Sequence, residues 1–539
     1  MKLRRQHWAI VLPVGILCIH AAMFGAWIVD DAGISFAYAS NLANGYGLVA
    51  QPGRVPIEGY SNPLWVLVLV PFIVLHVFDA IWVPKILAIA FLSIGFLSYY
   101  RTASEQLPSG WLIAVAGLSL AALQSSVVIW CISGLENGLY AALLLLLLRF
   151  MSSGRSVAAG VAVAAVAMTR PEGVLFSAAY PMLLVANRKG ATVRESIAEC
   201  TRYACVLFPL LIAFVSFRMY YFGDILPNTY YAKGGPTLRT LVDLVLLDPA
   251  LISKAGDLST ATIGIRAGAW FVVLIVLAVF MLKRSMTKTH FTISVVVLLS
   301  LSLLSYLILP FDWMPEYRFG TPFLLFFYLF VSHVAWFATG RLGPNRIIVF
   351  SSLVVLAGML TLLIAIPRST AFVANPAIPM TEVAETAQRF ERLARIAGVE
   401  NPSLLIADVG GALLSSSLRI YDLGMLSDRT IARTLGEGSK SRNQSAFYDY
   451  VFEEARPTFI ATRAYHSWIA QLDDDDRFRR DYAAIFEYQD EWIRKRYGVS
   501  MQSGDFVRRE ALSVGRDNIL SRLTTAARGT HYVGCSVCD

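Results

Sequence analysis

Charge is scarce in this chain. Only 16% of its 539 residues are Asp, Glu, Lys or Arg, where soluble domains carry roughly 25%. That shortage excludes a string of soluble domains, and it excludes intrinsic disorder, which needs high charge and few apolar residues. Cysteine is sparse too, with six in the chain, so a small disulfide-stapled secreted scaffold is excluded. Glycine (37) and proline (22) are not in excess, which removes collagen-like and low-complexity classes. What is abundant is apolar. Hydrophobic residues make up 56% and the mean hydropathy is +0.57. The composition is that of a polytopic membrane protein.

The net charge of +8 is not a nucleic-acid signal. Residues 1–370 carry 25 Lys and Arg against 15 Asp and Glu, and residues 371–539 carry 21 against 23. The surplus therefore belongs to the apolar part, where positive residues gather on cytoplasmic loops. Cys18, Cys131, Cys200 and Cys205 lie in or beside apolar segments and read as small buried thiols. Cys535 and Cys538 form a Cys-x-x-Cys at the tail. With no second ligand pair and no strand-to-helix setting, it reads as a frayed end.

Apolar runs occur near 8–29, 83–100, 111–131, 138–151, 157–169, 172–187, 203–222, 262–282, 291–310, 321–339 and 347–367, with a further run at 62–78 containing Pro71. The first follows Lys2, Arg4 and Arg5 and is too long for a signal-peptide core, so it reads as an uncleaved helix with a cytoplasmic N-terminus. Later basic residues include Arg101, Arg149, Arg155, Arg188, Lys189, Lys283, Arg284, Lys288, Arg341 and Arg346. All fall on the N-terminal side only if 62–78 does not cross. The positive-inside rule thus predicts about eleven spanning helices plus an interfacial 62–78. The external segments are then about 30–82, 132–137, 170–171, 223–261, 311–320 and everything after 367.

The tail reads differently. Residues 380–398 have the spacing of an amphipathic helix. Residues 403–408, 419–422 and 457–462 read as strands, giving a small soluble α/β domain over 371–539 beside a membrane domain over 1–370. The charge run 472–481 reads as a solvated loop and helix start.

Polar residues of unusual type sit in the external segments. Asp30 and Asp31 stand where the first apolar run ends. Two carboxylates at an apolar boundary are a functional-site hypothesis, and they also suit the first turn of a following helix. Further on come Glu58-Gly59-Tyr60-Ser61-Asn62-Pro63-Leu64-Trp65, Ser133-Gly134-Leu135-Glu136, Arg170-Pro171-Glu172-Gly173, Tyr220-Tyr221-Phe222-Gly223-Asp224-Ile225-Leu226-Pro227-Asn228-Thr229-Tyr230-Tyr231-Ala232-Lys233, and Asp312-Trp313-Met314-Pro315-Glu316-Tyr317-Arg318. His20 and His76, on apolar stretches, read as packed histidines.

This ordered set resembles the bacterial GT-C glycosyltransferases that use polyprenyl-phosphate sugars. In particular it is similar to the group containing the mycobacterial terminal β-arabinofuranosyltransferase. The likeness covers about residues 28–325, with a looser echo at Asp408-Val409-Gly410-Gly411 and Asp422 to Asp428. It implies a GT-C fold in the bacterial plasma membrane, with the active face and the tail domain extracytoplasmic. It also implies a polyprenyl-phosphate sugar donor, a cell-envelope glycan acceptor and, as the sugar, arabinofuranose.

Chemistry assigns roles to the same residues. Transfer from a lipid phosphate needs a base for the acceptor hydroxyl, and Asp30 or Asp31 is the candidate. Phosphate already leaves readily, so no added acid is required, but its charge needs compensation. Arg170, Lys233 and Arg318 are the candidate cations. Arg170 with Glu172 and Arg318 with Asp312 or Glu316 read equally as structural ion pairs, and Lys233 as a surface lysine. Glu58, Tyr60, Asn62, Glu136, Asn228, Tyr230, Asp312 and Trp313 are candidate substrate contacts, and Trp65 is an interfacial anchor. No cofactor is required by this scheme. A divalent cation is an alternative counter-charge, although the Asp pair lacks the further oxygen ligands of a defined metal site. Direct displacement inverts the anomeric centre, whereas a second carboxylate acting as nucleophile retains it. A transporter or flippase of lipid-linked sugars would place its charges at mid-membrane. A non-catalytic envelope-assembly protein on the same fold is the other rival.

Overall fold

The computed structural model describes residues 7–527 apart from 187–191, 236–239, 241, 243–245, 247, 268–269, 284–289, 311, 440 and 513–515. Lys2, Arg4, Arg5, Arg188, Lys189, Arg284, Lys288, Cys535 and Cys538 lie outside the described residues. The chain divides into two compact units, both discontinuous in sequence. One comprises residues 1–26, 81–217 and 236–376, and the other 27–80, 218–235 and 377–539. Instead of a single cut at 370, two upstream segments fold with the tail.

The first unit is helical. Among the described residues, five helices of the chain are long and apolar enough to cross a membrane: Trp82–Gln106, Val193–Phe222, His290–Ile308, Arg318–Arg341 and Gly343–Ala374. A sixth span exists if Gly110–Leu123 and Ser125–Cys131 are taken together. That pair, expected as one straight run, bends by 74°. The break falls at Gln124, whose extended backbone stops the helix and whose buried amide donates to the Ala261 carbonyl at 2.7 Å. The run 8–29 is also interrupted: helix Trp8–Ala22 ends in a turn at 23–26, where Gly25 has φ +51°. Helix Val193–Phe222 starts ten residues before the apolar run because Thr192 and Glu195 form a reciprocal cap, each backbone N–H bonded by the other's side chain at 3.2 and 2.7 Å.

Several helices of this unit show apolar side chains to the outside. Phe208, Ile212, Leu353 and Leu363 are exposed, as expected where lipid rather than protein covers a helix. Cys18 and Cys205 are exposed on such helices, and Cys131 is buried. The expectation of four buried thiols therefore fails for the first two, whose helix faces point outward. Between helices, small residues allow close approach. A Cβ on Gly138 would lie 2.8 Å from the Ala88 carbonyl oxygen, and one on Gly95 would lie 2.9 Å from Ala142 Cα. His20 is packed as expected, bonded to the Ala122 carbonyl and Ser369 Oγ. His76 is not: it is exposed at a turn with φ +56°.

The second unit is α/β. Its sheet has strands β1 (Ser403–Ile406), β2 (Arg419–Asp422), β3 (Phe459–Thr462), β4 (Tyr482–Gln489) and β5 (Gln502–Arg508). The order is β2-β1-β3-β5-β4, with β1 parallel to β2 and β3, and β5 antiparallel to β3 and β4. Leu405, Tyr421, Ile460 and Phe506 bury against Ile431, Leu435, Phe447 and Val451 in one core. The amphipathic helix Met380–Ala397 packs Phe390 against Phe459 and pairs Arg389 with Asp505 at 2.7 Å. Helices Asp30–Ala43 and Pro63–Val74 belong to this unit. At 12 residues, Pro63–Val74 is about 18 Å long, well short of a bilayer core of roughly 30 Å.

Candidate functional site

Asp30 and Asp31 open helix Asp30–Ala43 after an extended Val29, where the helix N-terminus favours negative charge. Gly33, one turn on, lets this helix touch the loop after β1: a Cβ on Gly33 would sit 2.5 Å from the Gly410 carbonyl carbon, and one on Gly410 would sit 1.8 Å from the Asp30 oxygen. Two glycines in two distant segments thus permit one backbone contact. It brings the buried Asp30 carboxylate under the N–H groups of Gly410 and Gly411, which donate to Oδ2 and Oδ1 at 2.9 and 2.7 Å.

Asp31 points elsewhere. Its side chain keeps 20% exposure, and Lys233 Nζ stands 3.9 Å from Oδ2. Asp408, at the C-terminal end of β1, adds a third carboxylate in electrostatic reach of both. Burial pushes the Asp408 carboxyl up to about 6, Arg463 opposing and Asp31 adding to the shift. Burial raises Asp30 well above the ordinary carboxylate range, with the Asp408 charge adding and the two glycine N–H bonds opposing. Sequence reasoning noted Asp408-Val409-Gly410-Gly411 only as an echo. The missed signal is an Asp and two Gly directly after a strand, at the carboxyl end where α/β sheets gather ligands. Among the described residues no three His, Cys, Asp or Glu side chains are arranged to hold a metal ion.

The other first-loop residues are braced. Glu58 is buried and takes two hydrogen bonds from Arg218, at 3.1 and 3.0 Å to one oxygen, with 2.8 Å to the other. Burial raises its pKa and Arg218 opposes. Tyr60 is buried edge-on to Tyr38 with ring centroids 4.7 Å apart. Asn62 is buried and accepts from Ser35 Oγ at 3.0 Å. Trp65, expected at an interface, is fully buried in the first turn of helix Pro63–Val74. Asn228 sends its side-chain amide to the carbonyls of Met425 and Leu426, both at 2.9 Å, and its backbone N–H to the Glu58 carbonyl. Tyr230 is partly buried against Tyr231. Asp224 pairs with Arg429 and Arg433 at 3.1 and 2.5 Å.

The remaining predicted residues lie in the helical unit and converge at helix ends. Glu136 precedes helix Asn137–Ser152, Arg170 ends Ser156–Thr169, and Arg318 precedes Thr321–Ala338. Arg170 bridges Glu136, at 2.6 Å, and Glu172. Arg318 pairs with Asp312 at 2.7 Å. Both guanidiniums lie over one ring, that of Phe319, at 4.9 and 4.8 Å. Glu316, the other partner expected for Arg318, instead accepts from Ser126 Oγ and Arg368 at 2.9 and 3.0 Å. Glu316 and Tyr317 both have left-handed backbones, φ +59° and +49°, a strained pair that the surrounding ion pairs hold in place. Trp313 is 46% exposed. Lys254, also missed, is buried over the Tyr306 ring and donates to the Leu309 carbonyl. Burial pulls its pKa down to about 8.

No protein-family model matches the sequence, and no curated protein matches it. Solved structures do. ArnT from Cupriavidus metallidurans in the apo state superposes with a TM-score of 0.54 at 12% identity, over 92% of this chain and 97% of that one. The same protein bound to undecaprenyl phosphate gives 0.52 over the same shares. The chain carries the GT-C fold. The Archaeoglobus fulgidus oligosaccharyltransferase, in complex with zinc and sulfate, gives 0.53 at 11% identity, over 84% of this chain and 68% of that one. With several apolar helices of spanning length among the described residues, the chain is a multi-pass membrane protein. At such identities the likeness is one of fold.

Proposed function

We propose that the protein is a membrane glycosyltransferase that moves a sugar from a polyprenyl-phosphate donor to a cell-envelope glycan. The observation that carries this reading is the likeness over 92% of the chain to a protein solved with undecaprenyl phosphate bound. The Asp31 carboxylate beside Lys233, with Asp408 in electrostatic reach of it, supports this reading. Asp31 is the base. It takes the proton of the acceptor hydroxyl as that oxygen bonds to the anomeric carbon. The bond from that carbon to the phosphate oxygen breaks, and the polyprenyl phosphate leaves with the electron pair. One displacement inverts the centre.

Asp30 positions: its hydrogen bonds to Gly410 and Gly411 fix the start of the helix that carries Asp31. Lys233 sits where an approaching phosphate would find a cation not buried in a salt bridge. Arg170 and Arg318, already matched to Glu136, Glu172 and Asp312, hold helix ends together. We place the 371–539 segment and the polar helix ends on the extracytoplasmic face of the plasma membrane, with about eleven crossings and Pro63–Val74 lying at the interface. Arabinofuranose is the proposed sugar.

Lipid extracts from cells with and without the protein test the reading. A polyprenyl-phosphate sugar that builds up when the protein is absent, and clears on complementation, is the expected result. Unchanged lipid-linked sugar pools together with an unchanged envelope glycan would sink it.

A further inference from the structure

At the edge of the sheet farthest from Asp31 in sequence terms, the β4–β5 hairpin builds a basic cavity. The register that sets Tyr482 opposite Arg508 brings the dipeptides Arg479-Arg480 and Arg508-Arg509 to one end of the hairpin. Arg456 joins them from the turn before β3, where its carbonyl accepts from Arg508. The cavity these residues line measures about 460 Å³ and is floored by the buried rings of Phe452 and Tyr482.

Its walls carry five arginines and two carboxylates, Asp481 and Glu510. Asp481 is taken by Arg480 at 2.7 Å and Glu510 by Arg456 at 2.7 Å. Arg479 turns to Asp473 and Glu487 beside the cavity. Arg509 donates to the Arg479 carbonyl at 3.3 Å and has no carboxylate within ion-pair distance among the described residues. Arg508 Nε is buried with no hydrogen-bond partner, its nearest carboxylate oxygen standing 3.6 Å away on Glu510. Positive donors are thus left over in a concave site within a tail that is otherwise slightly acidic, 21 Lys and Arg against 23 Asp and Glu over 371–539.

We propose that this cavity is an anion site for a phosphate-bearing ligand carrying at least two negative charges, such as a phosphorylated saccharide or a lipid headgroup. Guanidinium forks approaching from three chain segments suit the several terminal oxygens of a phosphate group, and Arg is the residue for such multidentate contact. The volume exceeds what one phosphate fills and lies in the range of small-molecule pockets, leaving room over the aromatic floor for the group the phosphate is attached to. The inference does not depend on the transferase reading, because it uses none of that site's residues.

The full chain, in nanodiscs of zwitterionic lipid, is titrated with sodium pyrophosphate by calorimetry, alongside an Arg480→Ser, Arg509→Ser double variant. Both side chains lie at the surface, and an unchanged elution profile and circular dichroism spectrum will confirm that the variant is folded. Saturable binding by the wild type, weakened about tenfold or more in the variant, is expected for the loss of two charge-assisted contacts. Adding phosphatidylglycerol to the disc assigns the source: if it competes with pyrophosphate the ligand is a lipid headgroup, and if it does not the ligand is a free phosphorylated molecule. No saturable binding by the wild type, or equal binding by the variant, overturns the proposal.

Discussion

Asp30 and Asp31 are neighbours in sequence with opposite surroundings. Asp30 gives both oxygens to backbone N–H groups in a buried site, and Asp31 keeps solvent access beside Lys233. Asp30→Asn leaves one glycine N–H facing an amide donor, an unmet buried group worth about 1–3 kcal/mol. A lower apparent Tm is therefore expected, with turnover by the folded fraction largely retained. Thermal unfolding and a single-turnover assay on the same sample check this. Asp422 makes a different prediction. Burial pushes it up to about 7, although Ser427 donates to Oδ2 from both its backbone and its hydroxyl. The folded chain therefore holds a proton there that the unfolded chain has lost above about pH 4, so stability falls as pH rises from about 4 to 7. Asp408 adds the same sign up to about pH 6. Asp422→Asn keeps an acceptor for Ser427 and removes the charge. Its apparent Tm should exceed that of the wild type at pH 8, by a stabilisation on the order of 2–4 kcal/mol, and match it only below about pH 4. A variant less stable than the wild type at pH 8 would contradict the assignment.

At the scale of elements, helices were legible wherever one local rule governed them. The spacing of Val383, Ala387, Phe390 and Leu393 gave Met380–Ala397, and the run after Asp30-Asp31 gave Asp30–Ala43. Strand β1 was legible as a short apolar run, and β2 as an Ile-Tyr pair flanked by charged residues. The β4–β5 hairpin was not. β5 reads Gln-Ser-Gly-Asp-Phe-Val-Arg, with no alternation, and its Ser503 and Asp505 are buried by polar partners, Asp490 and Arg389. The bend at Gln124 was invisible because the short polar stretch Gln124-Ser125-Ser126 inside an apolar run gives no periodic signal. Helix contacts depend on missing side chains, as at Gly138. With 2.8 Å to the Ala88 backbone, Gly138→Leu cannot be absorbed by a rotamer change. It should cost about 1–3 kcal/mol or more, read as a lower apparent Tm and poorer recovery from detergent, whereas Gly15→Leu, with open space around it, should be neutral.

For the whole molecule, what the sequence could not convey is which segments fold together. The residues of 27–80 and 218–235 join 377–539 in one unit, held by contacts 160 to 381 positions apart, such as Glu58 with Arg218 and Asp30 with Gly411. No local pattern encodes pairings at that range. Of the thirteen residues singled out from sequence, eight lie in this unit and five in the helical one. Most of them brace one segment against another rather than stand open. The proposed chemistry therefore rests on Asp31, with Lys233 at 3.9 Å and Asp408 in electrostatic reach. The central claim is that this carboxylate is the base of a sugar transfer from a lipid phosphate. The direct test is transfer of radiolabelled sugar from decaprenyl-phosphate arabinose to an envelope-glycan acceptor by the purified protein in lipid, comparing wild type with Asp31→Asn at equal folded concentration. The account predicts transfer by the wild type and a loss of roughly 10²–10⁴ in the variant; transfer by Asp31→Asn at the wild-type rate would contradict it.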